Sequence, residues 1–138
     1  MSRLLKLLSP MPNDVAAIPA GGFWTTESSG GVVFNWLRSE GDIDVYAPAQ
    51  PNGRLWLTFT GRSLGEQREL TMQDGSVTHR AEVTTTALPL TVGPFPLLNG
   101  HTSIHVSAAP GARHYGEDPR LLSIQLAGLG AFTRAAQP

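Results

Sequence analysis

The sequence predicts an all-β fold, an antiparallel β-sandwich of jelly-roll type, and three observations predict it. Apolar and polar residues alternate with period two in short runs from Gly22 to Leu126. Gly, Pro, Asn and Asp break the chain between those runs, with 15 Gly and 11 Pro among 138 residues. No gap is long enough for the helix that a parallel crossover needs. A strand with one apolar and one mixed face is half-buried, so a chain of such strands must pack sheet on sheet.

Residues 1–20 read as an apolar lead-in, because Pro10, Pro12 and Pro19 block any long helix. Leu4, Leu5, Leu7 and Leu8 make it apolar, but Lys6 interrupts the run and leaves it too short for a signal peptide or a membrane span. Four leucines in an unanchored segment suit an interface, docked on the sheet edge or groove of a partner or a second copy. Strands are then expected near 22–27, 31–38, 42–47, 54–61, 67–73, 77–84, 87–92, 101–108 and 121–127. Asp74-Gly75 is the best hairpin signal, with Asn52-Gly53 and Asn99-Gly100 marking further turns. Pro89, Pro94 and Pro96 confine any strand in 85–100 to a sheet edge, since proline donates no ladder hydrogen bond. The sandwich domain is expected over 21–132, with 133–138 a flexible tail.

Alternation also sorts the expected core. Phe34 and Trp36 share a face, as do Ile43 with Val45, Leu55 with Leu57 and Phe59, Leu70 with Met72, Ile104 with Val106, and Leu122 with Ile124 and Leu126. Such pairs fill the space between two sheets about 10 Å apart.

Composition removes several function classes. The net charge is −1 and Lys6 is the only lysine, so nothing is basic enough to hold a nucleic-acid backbone. Cysteine is absent, which excludes disulfides, thiol nucleophiles and Cys-based metal sites. His101 and His105 share a strand face, but four residues along a strand span roughly 13 Å, too far to share one ion. His79 alternates with Val77 and Ala81 and reads as a half-buried histidine with a backbone partner, while His114 falls in a loop. No zinc ligand set results, and no cofactor is expected. A calcium bound by carboxylates and carbonyls would leave little sequence trace.

Nothing amounts to a catalytic signature, so the chain is not expected to be an enzyme. There is no nucleophile elbow, and no helix follows Ser28-Ser-Gly-Gly31 to make a phosphate cradle. Asp42 and Asp44 alternate with Ile43 and Val45 and belong on one solvent face, the ordinary place for aspartate. Glu27, at a strand end, suits an ion pair with an arginine such as Arg38. Aromatics carry the sharper expectation. Trp56 falls opposite Leu55 and Leu57 beside Thr58, and Tyr46 lies alongside Asp42 and Asp44. Flat rings flanked by polar acceptors are what a sugar-binding platform needs; burial under an extra strand, a loop or a second subunit is the competing reading for Trp56.

Three segments together resemble the β-sandwich domains attached to bacterial membrane glycosyltransferases, which look like carbohydrate-binding modules. They are Gly22-Phe-Trp-Thr-Thr-Glu27, then Phe34-Asn-Trp36 with Glu40-Gly-Asp-Ile-Asp-Val-Tyr46, and finally Asp118-Pro-Arg120 leading into Leu122-Ser-Ile-Gln-Leu126. The resemblance implies a non-catalytic jelly-roll module that binds carbohydrate or a glycosylated surface, and it implies a structural pair between Glu27 and Arg120. The alternative is a structural protein whose sandwich self-assembles into a ring, shell or filament through the N-terminal segment, as a homo-oligomer or larger assembly.

Overall fold

The computed structural model describes residues 15–135. Twelve strands carry these residues: β1 (Ala16–Pro19), β2 (Glu27–Ser29), β3 (Val32–Trp36), β4 (Glu40–Tyr46), β5 (Arg54–Ser63), β6 (Arg68–Gln73), β7 (Thr78–Val83), β8 (Leu88–Pro96), β9 (His101–Ala109), β10 (Arg113–Tyr115), β11 (Asp118–Leu122) and β12 (Ile124–Arg134). Sheet I has the order β1-β4-β9-β6-β7 and sheet II the order β2-β3-β12-β5-β8, with β10 and β11 as a separate hairpin. Every pairing is antiparallel. The chain crosses between sheets from β1 to β2, β3 to β4, β4 to β5, β5 to β6, β7 to β8 and β8 to β9. That alternation is the jelly-roll arrangement of an antiparallel sandwich.

The period-two pattern builds the interior. Sheet I contributes Ile43, Val45, Leu70, Met72, Ile104 and Val106; sheet II contributes Leu55, Leu57, Phe59, Phe95, Ile124 and Leu126. All twelve are at most 4% exposed. At about 25 cal/mol per Å² of apolar surface removed from water, this two-sided layer is the main favourable term in folding. His79 joins it from β7: its Nε2 lies 2.7 Å from the Pro94 carbonyl oxygen, and its ring meets Phe95 edge-on. This is the half-buried histidine with a backbone partner that the sequence predicts.

The Asp74-Gly75 hairpin forms between β6 and β7, with the Val77 amide donating to Asp74 Oδ1 at 3.1 Å. β8, which carries the three prolines, is an edge strand of sheet II.

Several expectations need correction. Ala16–Pro19, inside the segment read as lead-in, is β1, an edge strand paired with β4. A four-residue run ending in proline signals a strand weakly, yet an edge tolerates Pro19 because its missing N–H faces away from the ladder. β12 runs to Arg134, past the residue where the flexible tail was expected to begin. Its register shifts between Ala127 and Gly130, so the glycines there make a bulge within a strand and not its end. Trp36 is buried, as expected, but on the other side. Its register partner is Gln125, whose partner is Arg62, so Phe34 and Trp36 face outward while Asn35 faces in with Leu126. The Arg62 guanidinium lies 5.5 Å from the centre of the Trp36 ring. The interface residues Leu4, Leu5, Leu7 and Leu8 lie outside the described residues.

Candidate functional site

On β4, strict alternation buries Gly41, Ile43 and Val45 and turns Glu40, Asp42, Asp44 and Tyr46 outward. On β9 it turns His101, Ser103, His105 and Ser107 outward. The register then sets Tyr46 against His101, Asp44 against Ser103, Asp42 against His105 and Glu40 against Ser107. The outer face of sheet I is therefore a lattice of carboxylates, hydroxyls and imidazoles, open to solvent or half-buried.

At one end the rings of Tyr46 and His101 stack, with centroids 4.7 Å apart and planes inclined by 29°. Tyr46 is 46% exposed. Asp44 Oδ1 lies 3.6 Å from His101 Nε2, an atom screened from solvent that makes no hydrogen bond among the described residues. Further along, His105 sits between two carboxylates, with Nδ1 3.1 Å from Asp42 Oδ1 and Nε2 3.7 Å from Glu40 Oε2. The stack opens onto a cleft of about 510 Å³ between the β6–β7 turn (Asp74, Ser76) and the β8–β9 turn (Pro96, Leu97, Leu98), floored by His101, Thr102 and Ser103. Asn99 reverses the second turn with φ of 55°, a backbone region that asparagine tolerates better than most residues. It leaves Leu98 74% exposed at the cleft lip.

The residues singled out from the sequence thus fall into two groups. Tyr46, Asp42 and Asp44 share the outer face of sheet I. Trp56 and Thr58 project from β5 on the outer face of sheet II, on the far side of the sandwich. Two layers of backbone separate the groups, so they do not form one platform. Trp56 is half-buried and stacks on Phe132, its partner across β12, at 5.3 Å with planes 7° apart. His101 and His105 were weighed in the sequence only as metal ligands; their place beside the carboxylates is a product of cross-strand register. Among the described residues, no group of three or more His, Cys, Asp or Glu side chains is arranged to hold a metal ion, and no helix is long and apolar enough to cross a membrane.

A second polar assembly braces the start of sheet II. Arg120 Nη1 donates to Glu27 Oε2 at 2.9 Å, the pair implied by the family resemblance, and Nη2 donates to Asp118 Oδ2 at 3.0 Å. Hydrogen bonds from Arg120 hold the Asp118 carboxyl below its ordinary range, and the two carboxylates hold the Arg120 guanidinium firmly protonated. Arg38, the other arginine considered for Glu27, instead lies over the Trp24 ring at 3.9 Å. Trp24 Nε1 donates to the Leu121 carbonyl at 2.8 Å, tying the β10–β11 hairpin to the chain before β2.

No protein-family model matches the chain, and neither does any curated protein. Solved structures with a similar arrangement include a carbohydrate-binding module designated CBM4, at 8% identity and a TM-score of 0.47, with 89% of this chain and 88% of that chain covered. The CBM36-1 domain of a multidomain xylanase from the hindgut metagenome of Trinervitermes trinervoides is 11% identical with a TM-score of 0.47, covering 91% of this chain and 100% of that one. A mutant of the family 29 module CBM29-2 complexed with mannohexaose is 10% identical with a TM-score of 0.43, covering 88% and 94% respectively.

Proposed function

We propose that this protein is a non-catalytic carbohydrate-binding module whose binding surface is the outer face of sheet I. The observation that carries the reading is the exposed Tyr46–His101 stack beside Asp44, at the mouth of the cleft between Asp74 and Leu98. A pyranose ring needs an apolar plate for its C–H face and fixed acceptors and donors for its hydroxyls. Tyr46, His101 and Leu98 supply the first; Asp44, Asp42, Ser103, Asp74 and Ser76 supply the second. Paired strands β4 and β9 hold Tyr46, His101, Asp42, Asp44 and Ser103, so little ordering entropy is lost there on binding.

The placement of Asp42 and Asp44 supports the non-catalytic part of this reading. Asp42 and Asp44 project from one face of one strand, whereas glycoside hydrolysis needs two carboxylates flanking the scissile bond from opposite sides.

The test is calorimetric titration with a panel of neutral oligosaccharides. Tyr46→Ala is expected to weaken binding by about tenfold or more, the loss of a stacking contact worth roughly 1.4 kcal/mol. Binding unchanged in Tyr46→Ala, with the variant folded, moves the site elsewhere; no binding to any member of the panel ends the reading.

A further inference from the structure

The opposite face of the sandwich carries a feature that the reading above does not use. Arg54 on β5 and Arg134 on β12 are direct register partners, so both guanidinium stems rise from neighbouring points on the outer face of sheet II. Like charges placed directly across an antiparallel pair are destabilising. The arginine ion pairs among the described residues engage Arg68, Arg80, Arg113 and Arg120; neither Arg54 nor Arg134 takes part in one. The partner of Arg54 on its other side, Pro96, carries no charge. Arg54 Nε is also screened from solvent and makes no hydrogen bond among the described residues. A half-buried cation with an unsatisfied donor, set against a second cation, costs stability unless an anion joins them.

The next outward-facing position along both strands is the Trp56–Phe132 stack, and the Arg54 guanidinium lies 5.8 Å from the centre of the Trp56 ring. On the β8 side, Gly93 lies so close to Trp56 that a Cβ there would come within 2.8 Å of the indole Cδ1. On the other side, β3 pairs with β12 only from Gln125 to Ala127, so among the described residues no strand is paired to β12 there beside Phe132. Phe132 is 39% exposed. The aromatic surface available to a ligand is therefore that of Phe132, two residues along the strand from Arg134 and diagonally across from Arg54, whose guanidinium groups have no ion pair among the described residues.

We propose that Arg54, Arg134 and Phe132 form a second binding site, selective for an acidic sugar. The carboxylate of a hexuronate would bridge the two guanidinium groups while its ring lies against Phe132. Arginine suits this because its planar fork matches a carboxylate in two-point contact. The site is independent of the one on sheet I, and the two faces point in opposite directions.

The experiment is titration of the full chain with an oligogalacturonate, with a neutral oligosaccharide of equal length and with inorganic phosphate, at low salt and again at ~0.15 M salt. The oligogalacturonate is expected to bind, and Arg54→Gln, Arg134→Gln and Phe132→Ala each to weaken it about tenfold or more, equivalent to losing one charged or stacking contact. Tyr46→Ala is expected to leave this binding unchanged. Without ligand, Arg134→Gln is expected to melt no lower than the parent, since it removes a like-charge opposition, whereas a merely structural arginine would lower it. No uronate binding, binding unaffected by Arg134→Gln, or displacement by equimolar phosphate would each overturn the proposal. Failure here with neutral-sugar binding intact leaves the sheet I site standing.

Discussion

Arg68 is the residue whose loss the fold is expected to tolerate least among its polar groups. It begins β6 with its side chain pointing inward, and the side chain is fully shielded from solvent. Nε donates to the Pro110 carbonyl at 2.9 Å; Nη1 donates to Ser63 Oγ at 2.9 Å, to Leu64 O at 2.6 Å and to Ser123 O at 3.2 Å; Nη2 donates to the Tyr115 hydroxyl at 2.7 Å and to Gly111 O at 3.3 Å. One guanidinium thus joins the β5–β6 turn, the β9–β10 connection, the β10–β11 hairpin and the start of β12. Its nearest carboxylate oxygen, on Glu66, is 3.7 Å away.

Substitution by Met keeps the volume but strands these acceptors. The Ser123 carbonyl still receives the Leu64 amide, but Leu64 O, Pro110 O and Gly111 O lose the donor that Arg68 supplies. Two or three such groups left unsatisfied at about 1–3 kcal/mol each, offset by no longer burying a charge, give an expected loss of about 3–5 kcal/mol. For a chain of this size that is a fall in Tm of roughly 10–15 °C. Arg68→Lys, with one compact donor group in place of a fork, is expected to recover less than half of the loss. Urea and thermal denaturation followed by circular dichroism measure both variants. If Arg68→Met melts within about 3 °C of the parent, or Arg68→Lys matches the parent, the fork is not what holds those loops.

Gly22 has φ of +86°, and an added Cβ would overlap the Glu40 carbonyl, so Gly22→Ala is expected to cost at least ~2 kcal/mol in a denaturant titration. Trp36→Ala is expected to cost about 3 kcal/mol, the low end for a buried aromatic, because the ring sits on the outer face under Arg62 and water can fill its place; a loss of about 5 kcal/mol would mark it as interior after all. The Asp118 carboxyl is held below its ordinary value by Arg120, so its contribution to stability is present above the unfolded value near 3.8 and is lost as pH falls through the lower folded value. Asp118→Asn is accordingly expected to flatten the stability profile below about pH 4, and an unchanged acid limb would contradict that assignment.

The alternation of apolar and polar residues determined the sandwich, because a period of two commits each strand to one buried face whatever its neighbours are. Leu55, Leu57 and Phe59 could be assigned to the interior from that pattern alone, as could Ile43 with Val45 and Ile104 with Val106. The prolines of β8 likewise placed that strand at an edge before any partner was known. Two other features depended on distant segments. Phe34 and Trp36 read as an inward pair because apolar residues normally face in, but the register of β3 on β12 sets them outward, with Arg62 beside the Trp36 ring. Arg68 gave no signal, since a charged residue opening a strand reads as surface until four separated segments converge on it.

The candidate site divides in the same way. Tyr46, Asp42 and Asp44 could be placed on one face from the sequence because they belong to one strand. Trp56 and Thr58 belong to another strand, and alternation assigns a residue to the outside without saying which outside. Only the assignment of β4 to sheet I and β5 to sheet II puts them on opposite surfaces. His101 meets Tyr46, and Arg54 meets Arg134, across ladders joining residues 55 and 80 positions apart. Such pairings are decided by the packing of the whole chain, and the two faces they create are the ones proposed above for binding.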